Sequence, residues 1–268
     1  MDTLYKGLPV HYQISGDGWP LIFLHGFNEN FEIWDLIIPE ISSNYQCICI
    51  DLPGFGKSPL PSNLTIKYMA DAVNRVIEEL KIIKPIVIGH SMGGYVTLEL
   101  ARQHPLLLSG GGLFHSTALA DTEDKKINRI KTLDFLNTNP LDSFFKIFIS
   151  GLFAPQNLKS GLLKPTENII HQTSKNSVMA GIKAMLERTD STDVLKNSSI
   201  PWLIVAGKYD GLLPVEQLSL LASYCPMAMF EILFNSGHLG MIEEPEISAE
   251  IIFKFANWIN SENLEHRA

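Results

Sequence analysis

The chain reads as an α/β protein: a mostly parallel, eight-stranded sheet with helices on both faces and a helical insertion after the sixth strand. Three observations predict this. Short runs such as "LIFLHGF", "QCICIDL" and "PIVIGH" are apolar without a break, as strands buried on both faces are. Amphipathic helical spacings separate these runs, the alternation that a sheet covered on both sides requires. From about Thr117 to about Ser199 the alternation stops, and the segment carries helical spacing rich in Phe135, Phe144, Phe145, Phe148 and Phe153 before strands resume.

Taken in order, the first twenty residues predict a hairpin, two short strands either side of "KGLP", ending at the turn-rich "SGDGWP". "LIFLHGF" is a buried strand opening into a glycine loop at His25, Gly26 and Phe27. A helix with Phe31, Trp34, Ile37, Ile38 and Ile41 on one face is expected next, then the strand "QCICIDL" leading into "PGFGKS". A helix beginning after Asn63 and Thr65 precedes the strand "PIVIGH", a serine, a helix ending at His104 before Pro105, and the strand "SGGGLFHS". After the insertion come "PWLIVAGKYDGLLP", "AMFEILFNSGHLGMIEEP" and the amphipathic "PEISAEIIFKFANWIN". The expected division is therefore a core of residues 1–116 and 200–268 with a helical cap at 117–199, and no internal repeat is visible.

Composition narrows the function classes. The 268 residues, 46% of them hydrophobic, are ample for a core, and the net charge of -8 argues against nucleic acid as a partner. The N-terminus "MDTLYKGLPVHYQISGDG" has neither the basic start nor the apolar run of a signal peptide, and no apolar run approaches the roughly 20 residues of a membrane span. A cytoplasmic location without membrane attachment is the expectation. Cys47, Cys49 and Cys225 cannot all pair, and they read as buried thiols in a reducing compartment rather than metal ligands. The cap carries 11 Lys or Arg against 9 Asp or Glu, mildly basic within an acidic protein.

The chemistry centres on "GHSMG", where a strand turns sharply into a helix and lifts the Ser91 hydroxyl above the sheet. Gly89 and Gly93 suit the close approach of strand and helix, and the helix aims its N-terminal N–H groups at whatever binds beside Ser91. A bare G-x-S-x-G is weak evidence, and the strand-to-helix context is what gives it weight. A serine hydroxyl needs a base, and the base an orienting acid. Among eight histidines, His238 in "NSGHLGM" follows the last strand, where α/β sheets collect their ligands. His11 and His266 lie near the termini, His104 ends a helix, His171 is in the insertion, and His90 adjoins the serine facing away from it. Asp210, just past a strand in "VAGKYDGLLP", is the expected acid. Glu243 and Glu244 read instead as first-turn helix acids, and Asp51 as the holder of the "PGFGKS" loop. The backbone N–H groups of Met92 and Phe27 are the expected oxyanion donors.

These segments, "LIFLHGF", "DLPGFGKS", "GHSMGG", "GKYDGLLP" and "SGHLGMIEEPE", together resemble the α/β-hydrolase superfamily over essentially the whole chain, in the serine-nucleophile branch with a helical cap after the sixth strand. The order Ser91, Asp210, His238 is the one that branch uses. Ser91 stands where the dehalogenases and epoxide hydrolases of this fold carry Asp, and "HGF" departs from the HGGG loop of hormone-sensitive-type lipases. The resemblance implies a serine hydrolase of a small or medium acyl substrate, a carboxylic ester first, with no metal or cofactor. Carbon-carbon bond hydrolases, lactonases and perhydrolases use the same three residues, and some members of the fold are slow or silent ligand-binding sensors. For substrate contacts two readings stand. Phe144 and Phe148 either line an acyl pocket or form the cap's own core. His25 and His115, at the ends of strands, either reach substrate or are satisfied within their loops.

Overall fold

The computed structural model describes residues 1–265 of the chain. Eight strands form one sheet: β1 (Asp2–Tyr5), β2 (Leu8–Ser15), β3 (Trp19–Leu24), β4 (Tyr45–Ile50), β5 (Ile86–His90), β6 (Gly110–Phe114), β7 (Trp202–Gly207) and β8 (Ala228–Leu233). Their spatial order is β1-β2-β4-β3-β5-β6-β7-β8. The pairs β1·β2 and β2·β4 are antiparallel and all the others parallel, so β3 to β8 point the same way. The hairpin turn falls on Lys6 and Gly7, and Leu8 already belongs to the second strand, shorter than the "KGLP" turn expected.

The helices in chain order are α1 (Ile38–Ile41), α2 (Ile66–Glu79), α3 (Met92–Gln103), α4 (Glu123–Thr138), α5 (Leu141–Ser150), α6 (Leu163–Ile170), α7 (Lys175–Leu186), α8 (Thr192–Lys196), α9 (Val215–Ala222), α10 (Gly240–Glu243) and α11 (Pro245–Glu265). The single helix expected after the first glycine loop is instead a 3-10 turn, Phe31–Trp34, and the short α1. Pro39 lies at the start of α1, where a missing N–H costs nothing but cannot extend the preceding turn. Phe31, Trp34, Ile37, Ile38 and Ile41 are nevertheless all buried.

Leu21 to Leu24, Ile86 to Ile88 and Trp202 to Ala206 are all buried, which explains why these strands are apolar at every position. One large apolar cluster spans most of the core, and a smaller one packs Trp202, Ile204 and Leu113 against Leu98 and Leu218. β8 closes the sheet as an edge strand, half-exposed along most of its length. Helices α4 to α8 all lie between β6 and β7, the span where helical spacing replaced strands in the sequence. Because β5, β7 and β8 run parallel, the loops that follow them leave from one end of the sheet, and there Ser91, Asp210 and His238 meet. Among the described residues, no helix is long and apolar enough to cross a membrane.

Candidate active site

Ser91 joins β5 to α3 with φ at 48°, a left-handed conformation that a non-glycine residue adopts only when its surroundings force it. Its flanking glycines show the constraint. A Cβ on Gly89 would collide with the Gly93 carbonyl, and one on Gly93 would lie 2.5 Å from the Leu24 carbonyl oxygen. The turn therefore presents the Ser91 hydroxyl at the strand end, and Met92 opens α3, where a helix leaves its first N–H groups without intrahelical partners.

The Ser91 hydroxyl donates to His238 Nε2 at 2.9 Å, and His238 Nδ1 donates to Asp210 Oδ2 at 2.7 Å. The other carboxylate oxygen of Asp210 accepts from the N–H groups of Leu212 at 2.8 Å and Leu213 at 3.1 Å. Burial pushes the Asp210 carboxyl up, but His238 and His115 outweigh it and hold the group far below the usual carboxylate range. For His238 burial works downward, yet the Asp210 charge prevails and the ring titrates above its ordinary value. This hydrogen-bonded series can take a proton from a hydroxyl and hold the charge that results. His115, Asp210 and His238 are also close enough together to hold a metal ion, but here their ligand atoms answer one another, His238 Nε2 faces Ser91, and His115 Nε2 accepts from Gly240 N–H.

His25 and His115 do not reach the cavity, which corrects the expectation that they touch substrate. His25 is fully buried: Nδ1 donates to the Gly26 carbonyl at 2.7 Å, and Nε2 accepts from Leu52 N–H at 2.9 Å, tying the loop after β3 to the loop after β4. His115 is equally buried. Its Nε2 accepts from Gly240 N–H, which leaves the ring proton on Nδ1, directed at Asp210 Oδ2 from 3.6 Å. That distance is too long for a hydrogen bond, so the contact is electrostatic. Burial pushes His115 down to about 4, so the ring is neutral near neutral pH.

Four side chains, Glu29, His90, Glu243 and Glu244, support the site in ways not legible in the sequence. Glu29, in the loop after β3, accepts from Gly26 N–H at 2.7 Å and lies 2.9 Å from His90 Nδ1, while His90 Nε2 donates to the His238 carbonyl at 2.8 Å. Both ring nitrogens of His90 therefore face an oxygen, one on the Glu29 carboxylate and one on the His238 carbonyl. Burial raises the Glu29 carboxyl, but the His90 charge and these hydrogen bonds bring it below the usual range. The pair links the Gly26–Phe27 loop to the backbone of His238. Glu243 is a first-turn acid of α10, as expected, and does more than that position requires: it accepts from Gly237 N–H at 2.7 Å and, on its other oxygen, from Ala154 N–H and Asn157 Nδ2, fastening the insertion to the His238 loop. Glu244 accepts from Ser236 Oγ and Asn235 N–H in the same loop. Asp51 holds its loop as expected, accepting from Phe31 and Lys57 N–H groups. His266 lies outside the described residues.

Ser91 and His238 open into a cavity of about 410 Å³. Phe27, Phe144, Phe148, Leu152, Ile182 and Met185 form its apolar walls, and Lys125, Asn128, Arg129 and Thr132 of α4 also line it. The insertion's aromatics thus divide: Phe144 and Phe148 stack at 5.4 Å and face the cavity, Phe148 meeting Phe27 edge-on, whereas Phe145 is buried against His171 and Phe153 lies inside. A separate hollow of about 230 Å³ lies beside Tyr95 and Arg188 and does not include Ser91.

Residues 20–245 match the profile of the alpha/beta hydrolase fold family. The chain belongs to the α/β-hydrolase family. Among relatives of this hydrolase, the pimeloyl-[acyl-carrier protein] methyl ester esterase of Yersinia enterocolitica is 25% identical, across 94% of this chain and 99% of that protein. The enzyme of the same name from Aeromonas hydrophila is 27% identical, across 92% of this chain and 99% of its own. Among solved structures, a thermophilic esterase from Thermogutta terrifontis superposes with a TM-score of 0.90 at 27% identity, covering 96% of this chain and 97% of that one. The enol-lactonase of Burkholderia xenovorans, 19% identical, shares the fold with a TM-score of 0.88, over 96% of this chain and all of that one.

Proposed function

We propose that this hydrolase cleaves carboxylic esters of small or medium acyl groups through an acyl-enzyme at Ser91. The observation that carries the reading is the unbroken series from Ser91 Oγ through His238 to Asp210 at hydrogen-bond distances. As Ser91 Oγ attacks the ester carbonyl, its proton passes to His238 Nε2 and a bond forms from Oγ to carbon. The oxyanion rests against the N–H groups of Phe27 and Met92. Collapse breaks the bond to the alcohol oxygen, which leaves with the proton from His238. Water, deprotonated by the same ring, then frees the acid and restores Ser91. Asp210 stays ionised throughout and keeps the His238 proton on Nδ1. The helices of 117–199 act as the cap that walls the acyl group, with Phe144 and Phe148 against it.

The esterase relatives support ester cleavage over the lactone, carbon-carbon and peracid reactions open to the same three residues. The deciding experiment is labelling with a fluorophosphonate, with the modified residue located by peptide mass spectrometry and p-nitrophenyl acetate, butyrate and octanoate hydrolysis followed in parallel. Labelling at Ser91 with matching loss of turnover, both absent in Ser91→Ala, is the expected result. A folded protein that is neither labelled nor active on any ester would overturn it in favour of a ligand-binding role.

A further inference from the structure

The first half of helix α4 borders the Ser91 cavity with polar side chains. Lys125, Asn128, Arg129 and Thr132 lie three and four residues apart, on one face, and that face lines the cavity. Ile127 and Ile130, on the other side, are 46% and 48% exposed. A surface helix ordinarily buries its apolar stripe and gives its charges to water. Leu136, one turn further on, is buried in that way, but Lys125, Arg129 and Thr132 are half-buried at the cavity wall, with the exposed Asn128 at its edge.

The charges on that wall do not balance. Asp121 is its one carboxylate outside the Ser91 relay and the Glu29–His90 pair, and both its oxygens are occupied: Arg129 Nε reaches one at 2.5 Å and Arg188 Nη1 the other at 2.9 Å. Arg188 is further fixed by the Leu119 and Met185 carbonyls and the Tyr95 ring. Lys125 is left with a single long contact, to the Leu212 carbonyl at 3.3 Å, and no ion pair among the described residues. It is half-buried, and burial holds its ammonium below its ordinary pKa. The charges of Asp121 and Asp210 offset part of that burial cost, but neither carboxylate contacts the ammonium, so an anion in the cavity would be its first direct ionic partner.

We propose that Lys125, with Asn128 and Thr132 on the same face of α4, forms a subsite for a carboxylate on the substrate, so that the preferred esters are those bearing a second, free carboxylate. The apolar walls formed by Phe144, Phe148 and Met185 would hold the methylene chain between the two ends. This rests on the ester-hydrolase reading and names its substrate class.

The test compares mono-p-nitrophenyl glutarate, which carries a free carboxylate, with methyl p-nitrophenyl glutarate, its neutral twin. The wild-type enzyme is expected to favour the anionic ester by roughly 10- to 100-fold in kcat/KM, the range of a charge-assisted hydrogen bond, with the ratio shrinking as salt is added. Lys125→Gln should lower the ratio at least tenfold, largely through KM, and Lys125→Arg should keep most of it. Glutarate should compete with the anionic ester at concentrations where inorganic phosphate does not. Turnover of both esters at equal rates, or a ratio unchanged in a folded Lys125→Gln variant, would overturn the subsite while leaving ester hydrolysis in place. Stronger competition by phosphate would reassign the anion. Failure on both esters would count against the ester reading itself.

Discussion

On the sheet side of the cavity, Asp210 receives three N–H donors, His238 is held through both ring nitrogens and its own carbonyl, and Glu29 and His90 answer each other in full burial. On the insertion side, Lys125 has one long contact, and Phe144 and Phe148 are only partly buried. The first wall is overdetermined and the second is left open. Reaction chemistry demands a fixed distance between proton donor and acceptor, whereas substrate selection needs groups whose partners arrive with the ligand. The comparison predicts that substitutions at the insertion's wall change which ester is preferred, whereas substitutions in the Ser91–His238–Asp210 series change the rate on every ester.

That division can be broken by substitution. Asp210→Asn should lower kcat on every ester by about 1,000- to 10,000-fold, because an amide facing Nδ1 favours the wrong ring tautomer. A drop confined to some esters would place Asp210 outside the chemistry. Glu29→Ala removes the acceptor that faces two buried groups, Gly26 N–H and His90 Nδ1, and should cost about 1–3 kcal/mol of stability in urea unfolding, with a loss of kcat as the Gly26–Phe27 loop loosens.

Two pH effects follow, with opposite signs. His238 must be neutral to act as base, and its raised pKa places the acid limb of kcat/KM above the ordinary histidine value of about 6.5, not below it. By linkage, the stability His238 gains from Asp210 is complete below that ordinary value and fades as pH rises through its folded pKa. His115 behaves oppositely: buried neutral, it titrates near pH 4, so the unfolded chain takes up its proton first on acidification. Stability should fall by about 3 kcal/mol between roughly pH 6.5 and 4 on its account, and denaturation of His115→Asn should show a flatter acid limb. The smallest effect belongs to the open wall. Phe148→Leu should move the preferred acyl length with a few-fold change in kcat/KM, consistent with a methylene or two of pocket space, and leave the pH profile where it was.

By itself the sequence determined the fold and the chemical core of the site. Continuous apolar runs are what strands buried on both faces must have, and the serine elbow leaves a local signature because Gly89 and Gly93 flank one sharp turn, Gly89 clearing Gly93 itself and Gly93 clearing the carbonyl of Leu24 on the neighbouring strand. The insertion was legible as helical for the same reason of period. What only the tertiary structure decided are the partnerships between distant segments. His90 and Glu29 are 61 residues apart, Glu243 and Ala154 are 89, and neither pair has a spacing rule to announce it. Whether a strand-end histidine faces a cavity or backbone groups depends on the loop packed over it: His25 meets the Gly26 carbonyl and His115 the Gly240 N–H. The charges of α4 follow the same logic: helical period placed Lys125 and Arg129 on one face, but only the tertiary packing of α4, against α7, brought that face to the cavity that holds Ser91.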